Sequence, residues 1–211
     1  MNSRDENAVR DAGGTAHIAP MTLERMDSVR DIIDVVQRFS GYVPTSFRIM
    51  ARKPNILRAF NGLITAVMRE PGEVAIETKW LIAHAVSTAA GCRYCQAHTA
   101  ANGAKAGMPT EKLEALLNYG ESHLYTPSER AVVALALAAG QVPNGAGREH
   151  FDALRVHFSD DAIVEIVAVI SLFGWLNRWN DTLASDLEPT PHAFGRDYLS
   201  KSGWGPGKHT R

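Results

Sequence analysis

Apolar positions recur three and four apart along almost the whole chain, and nowhere do they alternate as a strand requires. That spacing lines apolar side chains along one face of a helix and predicts an all-α protein of eight to ten helices. Leu23, Met26, Ile33 and Val36 share one face of a first helix, with Thr22 as its cap. Val43-Pro44 breaks the chain before a short segment, 45–52. Pro54 opens a third helix whose buried side holds Ile56, Phe60, Leu63, Ile64 and Val67, and Pro71-Gly72 ends it. Residues 73–90 read as a fourth helix. Its second half, from Leu81, is apolar almost all round and is expected to be central.

After Gly91 a fifth helix, 92–106, is rich in alanine, and Gly107-Met108-Pro109 closes it. Thr110 caps a helix over 111–119. Thr126-Pro127-Ser128-Glu129 is a capping box with proline at the first helical position, and Gly140 is a fitting terminator. A helix over 147–158 follows. Ser159-Asp160-Asp161 then starts a long one through Ile170 and beyond, with a kink expected near Gly174. The division expected is a flexible N-terminal segment at 1–20, a single helical domain at 21–190 and a C-terminal extension at 191–211. The last ten residues, rich in Gly, Lys and His, read as a mobile tail.

Composition narrows the classes. A chain of 211 residues can bury a core without staples. A formal net charge of −1 argues against a nucleic-acid binder held by a general positive field. The first twenty residues lack the apolar core of a signal peptide, and the apolar stretch from Ile166 to Leu176 is shorter than a bilayer span, so no membrane role and a cytoplasmic location are expected. The chain has 2 cysteines, too few for a secreted disulfide scaffold.

Those two, Cys92 and Cys95, stand in Gly91-Cys92-Arg93-Tyr94-Cys95-Gln96-Ala97-His98-Thr99. At a helix start the first thiol meets free backbone N–H groups and the positive end of the helix dipole, which lower a thiol's pKa; Arg93 adds a positive charge nearby. Cys95 lies one turn on, close enough for a disulfide with Cys92. His98 lies one turn beyond Cys95 and reaches it more easily than Cys92. The set reads as nucleophile, resolving thiol and proton shuttle. Two other readings stay open on spacing alone: inert packing of two small side chains, or three zinc ligands in Cys92, Cys95 and His98.

A helix reading Lys79-Trp80-Leu81-Ile82-Ala83-His84-Ala85-Val86-Ser87, then Ala90-Gly91-Cys92-Arg93-Tyr94-Cys95 and His98, resembles the AhpD-like alkylhydroperoxidase and carboxymuconolactone decarboxylase superfamily, in particular its peroxidase-related branch. The Val43-Pro44 and Pro54 segments and Asn177-Arg178-Trp179-Asn180-Asp181 carry the same resemblance, which spans about residues 20 to 190. It implies an AhpD-like all-helical fold with the CxxC at the start of a central helix, a homo-oligomer of two or more chains, and reduction of a hydroperoxide without a cofactor. By that resemblance Cys95 attacks the peroxide, Cys92 resolves the sulfenic acid to a disulfide, and an external dithiol protein resets the pair; His98, one turn from Cys95, is the residue expected to help deprotonate it. This assignment of the two cysteines reverses the order that the helix dipole alone favours.

Two positions depart from the family pattern. Its relay histidine falls four places after the second cysteine, where this chain has Thr99. Its glutamate twelve places before the first cysteine is replaced by Trp80. Glu77, one turn before Trp80, and His84, one turn after it, are the compensating candidates, His84 also reading as a hydrogen-bonded core residue. Alternatives from other classes are a lactone decarboxylase, a non-catalytic thiol sensor and a structural zinc site.

Asn177, Asn180 and Asp181 share a helix face that either turns to solvent or a neighbouring subunit, or roofs the thiol pocket. Tyr94 is expected to pack at the pocket or an interface. His150 and His157 could pair across two turns but fit a solvated face. His17, His123, His192 and His209 have no metal-ligand spacing and are assigned no role.

Overall fold

The computed structural model describes residues 14–211. Among these there are ten α-helices and no strand. They are α1 (Arg30–Ser40), α2 (Thr45–Met50), α3 (Pro54–Ile64), α4 (Ile76–Ala89), α5 (Arg93–Lys105), α6 (Thr110–Glu114), α7 (Pro127–Ala139), α8 (Arg148–Arg155), α9 (Asp160–Leu183) and α10 (Pro189–Phe194). Expectations for residues 1–13 lie outside the described residues.

The centre is α4, which packs against α5, α7 and α9. Every side chain from Lys79 to Ser87 is buried, as the absence of a polar face in this segment predicts. The one charge among them, Lys79, is satisfied by the Val67 carbonyl at 2.9 Å and by Glu165 at 3.4 Å. A buried ammonium needs both, because desolvation without partners costs several kcal/mol.

The capping signals of α7 and α9 land where the sequence puts them, whereas Thr110 is the first residue of α6, with Pro109 at the cap position and no side-chain cap bond, and α6 stops at Glu114. The Thr126 hydroxyl accepts from Glu129 N–H while the Glu129 carboxylate accepts from Thr126 N–H, completing the box. Ser159 caps α9, which runs unbroken through Gly174. At 24 residues, α9 is long and apolar enough to cross a bilayer, contrary to the estimate from its apolar stretch; half of its most apolar part is buried inside the fold.

Three further local expectations fail. The first helix begins later: residues 23–29 form two 3-10 turns and the Thr22 side chain caps nothing. Ile56 and Leu63 on α3 are exposed, and Leu57 with Phe60 forms its buried side instead, because the helix meets the core on a narrower stripe. The C-terminal residues are not a mobile tail. Trp204 and His209 are buried, so the segment has the anchors that its glycine-rich composition conceals.

Candidate active site

Gly91 sets the site. It adopts φ 72°, a left-handed conformation that ends α4 and lets the chain reverse into α5. Cys92 is then the N-cap of α5, with extended backbone, and its sulfur accepts the Cys95 backbone N–H at 3.4 Å. Both thiols are free and buried, Cys92 at 0% exposure and Cys95 at 3%.

The two sulfurs have different surroundings. Cys95 lines a cavity of about 100 Å³ with Tyr42, Phe47, Trp80, Tyr94, His98, Phe173 and Asn180. The Asn180 amide donates to its sulfur at 3.5 Å, and the Ser185 hydroxyl fixes that amide by donating to Asn180 Oδ1 at 2.9 Å. Burial pushes the Cys95 thiol well above its usual range, and the neighbouring Cys92 sulfur adds to the rise. A hydrogen bond from the Cys95 thiol, helped by His209, brings the Cys92 thiol down to about 6 against the opposing effect of burial.

His98 stands on the cavity wall, but both its nitrogens are taken. Nε2 donates to Glu188 Oε2 at 2.7 Å, and Nδ1 pairs with the Tyr42 hydroxyl at 3.2 Å. Its ring lies 4.3 Å from that of Tyr94, whose hydroxyl donates to Glu188 Oε1 at 3.0 Å. Burial pushes the Glu188 carboxyl up, but the His98 charge and hydrogen bonds from His98 and the Thr45 N–H leave it below its ordinary value. His98 is thus a cavity residue tied to a carboxylate, with neither ring nitrogen bonded to Cys95.

The two candidates for the missing acid go elsewhere. Glu77 is exposed and lines none of the cavities at the thiols, because it falls on the solvent side of α4. His84 is 3% exposed; its Nδ1 pairs with the Thr99 hydroxyl at 3.2 Å, and that hydroxyl donates to the Cys95 carbonyl at 2.7 Å. Burial lowers the His84 pKa to about 4, so at neutral pH it is an uncharged core residue under α5. It also lines a separate cavity of about 280 Å³ with Arg93, Gln96 and Trp204.

Sequence reasoning missed Glu188, Tyr42 and His209. Glu188 precedes Pro189 at the start of α10, and nothing local marks it as the partner of a histidine 90 residues earlier. Of the polar face on α9, Asn180 reaches Cys95 and Asp181 reaches the Cys92 side; Asn177 lines a cavity of about 470 Å³ with both its amide atoms unpartnered. Cys92, Asp181 and His209 bring their donor atoms within 4.8 Å of one another, the one group of three side chains among the described residues close enough to share a metal ion. Neither Cys95 nor His98 is in it, so the zinc set that spacing left open, Cys92 with Cys95 and His98, does not assemble. Lys208 already neutralises Asp181 at 2.9 Å, and the arrangement is that of a charge pair around the Cys92 sulfur.

The profile of the Carboxymuconolactone decarboxylase family matches residues 54–138, which run from the start of α3 almost to the end of α7 and include both cysteines. The chain belongs to this family. Among solved structures it is similar to the debrominase Bmp8, at 30% identity and a TM-score of 0.77, over 85% of this chain and 96% of that one. A cysteine-to-alanine variant of Bmp8, solved in complex with 2,3,4-tribromopyrrole, matches at 29% identity with the same TM-score, over 85% of this chain and 95% of that one. The alkylhydroperoxidase AhpD core of a peroxidase-related protein from Ralstonia eutropha JMP134 is 27% identical with a TM-score of 0.71, over 81% of this chain and 90% of that one. No curated protein matches the chain.

Proposed function

We propose that the chain is a thiol-dependent two-electron reductase in which Cys92 and Cys95 pass between dithiol and disulfide, with a hydroperoxide as substrate. The observation that carries this reading is the asymmetry of the pair: one sulfur lines an aromatic cavity, while its hydrogen-bonded neighbour packs against His209 and Asp181 with its thiol brought down to about 6. Two buried cysteines of inert packing would have neither feature.

In the proposed cycle Cys95 gives its proton toward Cys92 as its sulfur attacks the terminal peroxide oxygen. The O–O bond breaks, and the alkoxide takes a proton in the cavity, where His98 and Glu188 stand, to leave as an alcohol. The Cys92 sulfur then attacks the Cys95 sulfenic sulfur, forming the S–S bond and releasing hydroxide, which leaves as water. Two thiols and a hydroperoxide thus give a disulfide, an alcohol and water. An external dithiol protein returns the two electrons and two protons, which suits a reducing cytoplasm. The predominantly apolar and aromatic walls of the cavity suit an organic rather than an inorganic peroxide.

A second reading uses the same electrons. The relation to Bmp8 across nearly all of both chains, and a cavity walled by Tyr42, Phe47, Trp80 and Phe173, favour reductive removal of bromide from a small aromatic ring. There the dithiol would become a disulfide as carbon–bromine becomes carbon–hydrogen and HBr leaves. A lactone decarboxylase would not need the dithiol at all.

We also propose a homo-oligomer formed through the face that α3 and α9 leave bare. Most of the apolar stretch of α9 is buried within the chain itself, Ile166, Ile170 and Phe173 among it. Trp175 at 40% exposure, with Ile56 and Leu63, remains for a second copy to cover.

The deciding experiment follows tert-butyl hydroperoxide and 2,3,4-tribromopyrrole in parallel with dithiothreitol as reductant, for the wild type, Cys92→Ser and Cys95→Ser. Peroxide loss that needs both cysteines supports the first reading; bromide release alone supports the second. Rates equal in all three proteins on both compounds contradict the dithiol mechanism.

A further inference from the structure

Residues 203–211 are far from the motif in sequence, yet they close over Cys92. Trp204 anchors them. Its indole packs on Gly195, where a Cβ would come within 2.5 Å of the ring, and its Nε1 donates to the Arg93 carbonyl at 3.1 Å. Leu187 N–H donates to the His209 carbonyl at 2.9 Å, and Lys208 pairs with Asp181 at 2.9 Å. The His209 ring, in a residue 1% exposed, is fixed in one orientation: Nδ1 donates to the Ser185 carbonyl at 2.8 Å and leaves Nε2 as the remaining nitrogen.

That nitrogen is buried with no conventional hydrogen-bond partner. What stands before it is a thiol and a carboxylate, with Asp181 Oδ1 at 3.6 Å and the Cys92 sulfur inside the same 4.8 Å group. As a neutral acceptor it would face two groups of negative or electron-rich character. As an N–H donor it is matched to both. A linear relay would place the carboxylate on Nδ1, but here the Ser185 carbonyl holds that position, so the sulfur and the carboxylate share the Nε2 side.

The charged and titratable groups around Cys92 come from three elements. Cys95 lies on its own helix, Asp181 on α9, and Lys208 and His209 on the C-terminal segment. Lys208 neutralises Asp181, and Arg93, the next residue in the chain, turns to the Gln96 side-chain oxygen at 3.4 Å. The positive charge left to face the sulfur is that of His209. Burial lowers the His209 pKa, but Cys92, the Ser185 carbonyl and Asp181 together carry it above its ordinary value.

We propose that His209, brought in by the C-terminal segment, is the counter-charge that holds Cys92 as a thiolate: the proton of Cys92 Sγ passes to His209 Nε2, and the dithiol pair enters the reaction with one proton instead of two. This role rests on the dithiol reading above and extends it. The segment that closes over the site also supplies the charge that prepares it, and the alkoxide-forming step begins from a pair that has already given up a proton.

The test titrates the reduced full-length chain by ultraviolet thiolate absorbance, without substrate. In Cys95→Ser, which keeps an O–H donor toward Cys92, the only thiolate is that of Cys92. Its midpoint should fall in the acid range. His209→Gln, which keeps a donor for Ser185, should raise that midpoint by about one pH unit or more, a change of about tenfold in the thiolate equilibrium. His157→Gln, on an exposed residue, should leave it in place. Should His209→Gln fail to fold, proton NMR of the histidine rings gives the reciprocal measurement. Coupling is mutual, so Cys92→Ser should lower the His209 titration by a matching amount. A Cys92 midpoint unmoved by His209→Gln, or a His209 titration unmoved by Cys92→Ser, overturns the assignment. Neither readout uses substrate: a chain that titrates as expected but reduces neither compound defeats the functional reading alone, and active turnover with unmoved midpoints defeats the role of His209 alone.

Discussion

Cys92 and Cys95 are three residues apart on one helix end, yet they belong to different regions of the molecule. On the Cys95 side there is a cavity with aromatic walls, an amide from Asn180 and a histidine tied to Glu188. The Cys92 side is closed by the C-terminal segment and holds a histidine, an aspartate and a lysine. One side offers a cavity with mostly apolar walls, and the other offers charged side chains packed against the sulfur. A single helical turn separates them because Cys92 is the cap of α5 and Cys95 is inside its first turn, so their side chains leave the helix in different directions. Proximity in sequence therefore says that the sulfurs can bond, and says nothing about which of them meets a substrate.

Removal of either sulfur should break this division of labour most severely. With Cys95→Ser, hydroperoxide consumption should fall by about a thousandfold or more, as for loss of a nucleophile. With Cys92→Ser, one turnover should remain and leave a sulfenic acid on Cys95, trapped by dimedone and located by mass spectrometry. A trapped adduct on Cys92 in Cys95→Ser would exchange their roles.

Next in size is the cavity-side ion pair. Glu188→Ala leaves His98 without its carboxylate and frees the Tyr94 hydroxyl and Thr45 N–H. Breaking a buried pair by removing one partner should cost about 3 kcal/mol in denaturant unfolding. If the two regions are as separate as their geometry, the Cys92 thiolate midpoint should hardly move.

His84 gives a pH-dependent contrast. Its folded pKa of about 4 lies below the ordinary value of 6.5, so the unfolded chain binds a proton first as pH falls. Its contribution to stability is full above 6.5 and is lost as pH falls from there toward 4, amounting to about 3 kcal/mol at the acid end. His84→Gln should flatten that limb of the stability curve in urea titrations between these pH values; an unchanged limb would mean another group carries it. The smallest effect belongs to Tyr42→Phe, which removes one hydrogen bond to His98 and should cost about 1 kcal/mol.

Much of this site was legible in the chain, but unevenly. The helical class, the central α4, the Thr126 capping box and the Ser159 cap follow from apolar spacing and end signals, which are local. The cysteine pair at a helix start follows from Gly91 and the CxxC spacing. The position of His84 fits both a relay and a hydrogen-bonded core residue, and its geometry is the second. Glu77 lost its candidacy because one turn of helix toward solvent is enough to remove a side chain from a buried site. Glu188 and Tyr42 were invisible because each meets His98 across a long stretch of chain. His209 was hidden by composition: the glycines of the tail read as looseness, whereas Gly203 and Gly207 take left-handed conformations on either side of Trp204 that fold the segment back. A tryptophan in a glycine-rich tail was the one available sign that the tail docks.

The central claim is that the pair gives two electrons as a unit, and stoichiometric oxidation tests it most directly. The fully reduced chain is mixed with one equivalent of tert-butyl hydroperoxide, with no external reductant, and the intact mass and free thiols are measured. The account predicts loss of both thiols together, an intrachain Cys92–Cys95 disulfide and one equivalent of tert-butanol. Two thiols that persist while the peroxide disappears, or an intact peroxide beside an unchanged dithiol with the tribromopyrrole equally untouched, would contradict it.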